Sequence, residues 1–405
     1  MTLLKTTALT AAVLSAASLA QAAPFTTEVH MDTRLRYEAV DQSNALKDAD
    51  SGSFRFRPRV EIGNGTLDFL AEAEVTAEVG KGFNSTRNGE TDRSVVADPQ
   101  TKEINRLQLL YTHSGEVLTG SKVTVGRQEI NLGNQRFVGA VAWRQNEQTF
   151  DAVRVQLKPI SAVELDYSYV NQVNTIFGSE EPVPFIAARD TEYETDIHLL
   201  NLTGVVPGEV KVNAYGYWMG FDDLGGRSNQ TFGLSAARDF GLIDARLEYA
   251  NQSDYDTQPL DYSADYWHAT LGLETESKIR LAAGYELLGS DDGTIGFQTP
   301  LATLFKFNGA ADTFLLSTPA NGLQDAYVSA ETPLKIVPGK FLVEAHKYDS
   351  DEGSQDFGFE TTGTLVVPIK ALPGLKGLIK YTHYEADDGP YVDTDKLWVQ
   401  MDFSL

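Results

Sequence analysis

Arginine recurs at every second position in Arg55-x-Arg57-x-Arg59, and twice more in Arg34-x-Arg36. A guanidinium stays charged at any physiological pH and pairs bidentately with carboxylates, so such rows hold or steer anions rather than exchange protons. Acids recur with the same spacing in Glu72-x-Glu74. Residues fit for covalent chemistry are scattered instead. His30, His113, His198, His268, His346 and His383 lie in separate segments, no His-Glu-x-x-His or Gly-x-Ser-x-Gly occurs, and cysteine is absent. The sequence thus argues against an enzyme and against catalytic residues. Disulfides and thiolate metal sites are excluded, and no cofactor is expected. One faint metal signal, Asp349-x-Asp351 with Glu360 beyond, has Ser354 where a calcium loop needs glycine, so no metal site is expected either. A formal charge of -24 excludes nucleic acid as a partner, because phosphate binding needs a basic face.

Alternate arginines share one side only if the backbone is extended with a period of two. The chain has that period almost throughout. Phe54, Phe56, Pro58, Val60 and Ile62 oppose Arg55, Arg57, Arg59 and Glu61; Leu397, Val399, Met401, Phe403 and Leu405 oppose Lys396, Trp398, Gln400, Asp402 and Ser404. The pattern predicts about 18 strands, at 28–40, 53–63, 66–79, 103–113, 121–130, 148–158, 162–173, 190–203, 208–221, 227–239, 241–252, 262–275, 278–288, 324–333, 339–349, 355–368, 375–386 and 393–405. Alternation is weak in 190–203 and 227–239, which leaves about 16 strands as a second count. Pro58 removes a ladder donor mid-strand, and a bulge is expected there.

Most of these segments reach the ~9–11 residues that a tilted strand needs to cross a bilayer. Connections sort by parity: turns such as 63–66, 158–161 and 239–241 are short, whereas 41–52, 80–102, 131–147, 174–189, 252–261 and 289–323 on the other side are long, with only 220–226, 350–354 and 387–392 short there. That is the asymmetry of a transmembrane antiparallel β-barrel with short periplasmic turns and long extracellular loops. Tyr37, Tyr111, Tyr167, Tyr169, Tyr249, Tyr285 and Tyr381 fall on the lipid-facing parity near strand ends, as interfacial aromatics do. A soluble sandwich or propeller would also alternate, but its loops would not sort. At the N-terminus, Lys5, the apolar stretch 8–20 and Ala20-Gln21-Ala22 read as a signal peptide over 1–22. Residues 23–405 then form a single barrel domain in the outer membrane of a Gram-negative bacterium.

In a closed barrel the first strand pairs with the last. Arg34, Arg36, Arg55, Arg57, Arg59, Lys376, Lys380 and Lys396 then form one basic wall of the lumen, with Arg106 and Arg154 as further positive sites. Asp68, Glu72, Glu74 and Glu78 of the third strand oppose it. Such a wall suits a carboxylate-bearing solute; the plainer alternative is that lumen charges pair with one another. The loop 131–147 is amide- and arginine-rich with apolar interruptions, which suits a segment folded into the lumen, where Arg127, Arg136 and Arg144 narrow the path.

Gly126-Arg127-Gln128, then Gly133-x-x-Arg136-Phe137-x-Gly139, then Trp143-Arg144-Gln145-Asn146-Glu147-Gln148-Thr149-Phe150-Asp151-Ala152 resembles the alginate-export family of outer-membrane porins. The resemblance implies an 18-stranded barrel whose Arg/Lys-lined constriction conducts acidic polysaccharide, and assigns pore function to Arg127, Arg136 and Arg144. Membership in such a family leaves a second solute class open, small carboxylates or neutral sugars taken up from outside. A non-conducting adhesin is the alternative of another class. The expected partners are outer-membrane lipid and lipopolysaccharide, an anionic carbohydrate or carboxylate, and the barrel-assembly machinery. Barrels of this kind usually end in an aromatic residue, whereas this chain has Phe403 followed by Ser404 and Leu405.

Overall fold

The computed structural model describes residues 23–80, 82–178, 190–222, 224–314, 318–335 and 337–405. The expected signal peptide, 1–22, lies outside them. In chain order the strands are β1 (Thr26–Gln42), β2 (Ala49–Gly63), β3 (Leu67–Glu78), β4 (Thr101–Thr112), β5 (Lys122–Gln128), β6 (Thr149–Ile160), β7 (Val163–Asn174), β8 (Glu192–Val206), β9 (Val210–Phe221) and β10 (Asn229–Asp239). They continue with β11 (Ile243–Asp254), β12 (Ser263–Glu274), β13 (Arg280–Leu288), β14 (Ser290–Asp291), β15 (Ile295–Gly296), β16 (Leu323–Pro333), β17 (Lys340–Asp349), β18 (Asp356–Pro368), β19 (Leu375–Glu385) and β20 (Thr394–Ser404). β14 and β15 make a separate small hairpin; the rest form one 18-stranded sheet in which each strand pairs antiparallel with its neighbours. β1 closes it by pairing with β20, Leu35 opposite Met401 and Tyr37 opposite Val399.

Closure leaves no free edge, so every strand satisfies its backbone groups without water. The outer face exposes Leu35, Tyr37, Leu107, Leu109, Leu247, Leu271, Val328, Ile379, Tyr381 and Met401, whereas Arg36, Glu38, Arg55, Glu72, Glu74 and Thr382 of the opposite parity are buried inside. An apolar band of this extent belongs against hydrocarbon.

The predicted count of about 18 holds among the described residues: the barrel sheet has eighteen strands, with 190–203 and 227–239 among them as β8 and β10. The alternation of β8 was faint because its inner face carries apolar Tyr193, Ile197 and Leu199, buried under loop segments, while Glu192 and Asp196 face outward. Two expectations change. Pro58 makes no bulge: Phe56–Val75 and Arg59–Glu72 keep one register across it, and the β2–β3 ladder merely skips Arg57 and Pro58. The irregularity lies one strand on, between Glu72 and Ala73 in the β3–β4 ladder. Finally, residues 289–314 of the long loop 289–323 do not stay outside: they enter the lumen and meet the loop 131–147, whose inward fold was expected.

Candidate functional site

The two inward loops hold each other. Gly139 N–H donates to Leu301 O at 2.9 Å and Thr303 N–H to Gln135 O at 3.0 Å, with Val138 and Leu301 forming a bridge. The Gln148 amide donates to Gly139 O and Leu301 O at 2.8 and 3.2 Å. Phe137 anchors the first loop: its ring centroid lies 5.1 Å from Tyr266, 5.5 Å from Tyr215, 5.7 Å from Phe297 and 6.2 Å from Tyr217. Three of those rings belong to the β9 and β12 wall. Val141 sits at φ 54° and Asp312 at φ 65°. A β-branched residue in the left-handed region is strained, and the packing around it must hold it there.

Charge fixes the same loops to the opposite wall. Arg34 Nη1 donates to the carbonyls of Ala142, Trp143 and Arg144 at 3.2, 2.9 and 3.2 Å, while its Nε pairs with Asp402 at 2.8 Å. Arg36, 1% exposed, reaches Trp143 O at 2.5 Å, Gln400 at 2.7 Å and Asp98 at 3.3 Å. Arg57 binds Glu74 at 3.1 Å and Glu147 at 2.5 Å. Arg144 and Lys396 share the Asp312 carboxylate, each at 2.7 Å. Arg136 pairs with Glu286 and hydrogen-bonds Asn308, at 2.8 and 2.9 Å. Burial alone would raise the Asp312 carboxyl; Lys396 and Arg144 outweigh it and hold the group below the ordinary range.

The basic wall is therefore real in position but largely neutralised. Arg55 pairs with Asp32, Arg59 with Glu61, Arg106 with Glu72 and Glu129, and Arg154 with Asp166. Lys376 is exposed, and Lys380 lies over the Trp143 and Phe305 rings. Arg127 needs correction. It stands opposite Leu107 in the β4–β5 ladder and two residues from Val125, both exposed on the lipid-facing side, so strand alternation turns it outward. There it pairs with Asp151 at 2.8 Å and donates to Ile104 O at 3.2 Å.

Several residues of the site were not foreseen: Asp98, Asp312, Glu38, Glu286, Phe137 and Phe305. Loop carboxylates carry no periodic signal. The second inward loop did carry one, in Phe297, Leu301, Leu304, Phe305, Phe307 and Phe314, the same apolar interruption that marked 131–147.

Outside the paired loops lies a cavity of about 460 Å³, lined by Arg136, Arg144, Tyr193, Arg227, Phe305 and Asn308 among others. Beside the root of the first loop, burial and then the charge of Glu147 push the Glu129 carboxyl up to about 7. Below that pH Glu129 is neutral, so the path past Arg106 gains net positive charge. Anion preference is expected to rise modestly as pH falls from 8 to 6, and Glu129→Gln should flatten the profile; reversal potentials across that range check it.

Residues 18–199 match the family model described as alginate export. The match runs from before β1 into β8 and includes the first inward loop. Over that stretch, a little under half of its length, this chain is similar to the alginate-export family. Solved structures give the fold over nearly its full length. *Pseudomonas aeruginosa* OpdO is 16% identical, with a TM-score of 0.68, covering 94% of this chain and 97% of its own. The *P. aeruginosa* outer-membrane protein OpdK is 12% identical with a TM-score of 0.70, covering 93% and 98%. *Acinetobacter baumannii* OccAB3 is 13% identical with a TM-score of 0.69, covering 94% and 99%. No curated protein matches in sequence. The chain thus has the barrel fold of these Gram-negative outer-membrane proteins.

Proposed function

We propose that this barrel is a passive, anion-preferring channel for carboxylate-bearing solutes of monomer to short-oligomer size. The observation that carries the reading is the interlock of the two inward loops beside a wall rich in arginine and lysine. Most guanidinium groups are paired within the wall, and the cations left over, such as exposed Lys376, lower the cost of bringing a carboxylate out of bulk water. A long polysaccharide would have to part Gly139 from Leu301 and Arg144 from Asp312, whereas a small acid need not. The family match supports a uronate solute. A structure of OpdK with vanillate, itself a carboxylate, supports the small-acid reading equally. No catalytic role is proposed for any residue.

Swelling of proteoliposomes in galacturonate, in its short oligomers, in long polyuronate and in neutral galactose tests this. Galacturonate is expected to enter faster than galactose and long polymer not at all. Equal rates for acid and neutral sugar, or free passage of polymer, would refute it. Within the wall, Arg55→Gln, Arg57→Gln and Arg59→Gln together remove three cations and leave Asp32, Glu61, Glu72, Glu74 and Glu147 behind. Anion preference should fall to cation preference in that triple variant, read as a reversed sign of the zero-current potential.

A further inference from the structure

The arginines of the wall and Lys396 each have a carboxylate within ion-pair distance, so their charge is already met. Lys380 has none within 4.0 Å among the described residues. Glu344, Glu360 and Asp312 act on it only through space. Its ammonium lies instead 5.3 Å from the Trp143 ring centroid and 4.9 Å from that of Phe305. Those two rings are stacked at 4.2 Å and 5°, and Trp398 meets both edge-on, at 6.0 and 5.6 Å. Lys380 is only half-buried, on the lumen parity of β19.

The cluster has donors and lacks acceptors. Trp143 Nε1 and Trp398 Nε1 are buried without a hydrogen-bond partner. An indole N–H and an ammonium can only donate, and the aromatic faces offer the cation a quadrupole but no counter-ion. What completes such a set is an acceptor bearing negative charge. Phe305 also lines the cavity outside the loops, so the cluster adjoins the space from which a solute arrives.

We propose that Lys380, with Trp143 and Phe305, forms the carboxylate-binding subsite of the constriction, the point where a small organic acid pauses in transit. The subsite rests on the channel reading above. Arg34, Arg36, Arg57 and Lys396 hold the loops in place, Arg55 and Arg59 pair within the wall, and Lys380 supplies the unmet charge that the solute meets at the constriction. Lysine suits this because its compact ammonium exchanges partners without a bidentate grip, so a bound acid can leave.

The test uses the full barrel in planar bilayers carrying chloride current, with sodium glucuronate as probe and glucose as neutral control. Glucuronate is expected to reduce the wild-type current saturably, and Lys380→Gln to raise the half-blocking concentration by about tenfold or more. Lys380→Arg should restore most of the block. Chloride conductance of each variant reports that the barrel is folded and inserted. An unchanged half-blocking concentration in Lys380→Gln, or equal block by glucose, would overturn the subsite. Wild-type barrels that prefer cations and do not pass glucuronate would instead sink the channel reading itself, so the two failures are distinct.

Discussion

Phe137→Ala is expected to turn a narrow channel into a wide one. The ring is 7% exposed and packs on four aromatic neighbours, three of them fixed in the strands of the wall. Truncating a buried phenylalanine costs about 3–5 kcal/mol. Here the cost falls on the docking of one loop, not on the barrel, because β9 and β12 keep their ladders without it. A shift of about 3 kcal/mol moves the docked-to-released ratio by roughly two orders of magnitude. The released loop would carry Arg136 and Arg144 away from Glu286 and Asp312. Single-channel recordings should then show larger steps with more open-channel noise, and unchanged heat stability of the barrel. Steps of wild-type size would mean that Phe137 does not hold the loop.

Asp312→Ala should release the second loop by another route. Its carboxylate is shared by Arg144 and Lys396, and its own side chain is 6% exposed. Removing the anion leaves two buried cations facing each other, the arrangement that makes breaking a buried pair cost about 3–5 kcal/mol. Relief comes when the loop withdraws and water enters. The expected outcome is a larger conductance together with a stronger anion preference, since Lys396 is then unmatched and Arg144 keeps only Glu38, at 3.5 Å. Phe137→Ala enlarges the path without leaving a cation unmatched in it, so selectivity separates the two variants. A smaller conductance in Asp312→Ala would contradict the assignment of Asp312 as the latch.

The barrel was legible because its cause is local and repetitive. A strand between hydrocarbon and water must alternate, and Phe54 to Ile62 against Arg55 to Glu61 writes that alternation directly. Closure followed from loop parity, and the inward turn of 131–147 from apolar residues where solvent-facing ones were expected. The site was legible only in part. Parity correctly turned Arg34, Arg36 and Arg55 inward, but Arg127 faces lipid because the strand assigned to 121–130 ends at Gln128 and Arg127 keeps the outward phase of Val125. Pairing partners such as Asp98 and Asp312 lie in loops, where no period links a residue to its neighbour in space. Of the two readings of the wall, free charge and mutual pairing, pairing holds for most of it, and the distinction between Arg57 and Lys380 needed three dimensions.

Reversal potential across a planar bilayer, with a tenfold potassium chloride gradient and the purified barrel as the sole conductor, tests the central claim most directly. A potential of the sign set by chloride, reversed in the triple arginine variant and weakened by Lys380→Gln, is the predicted result. A potential of the sign set by potassium in the wild-type barrel, or no conductance at all, would contradict it.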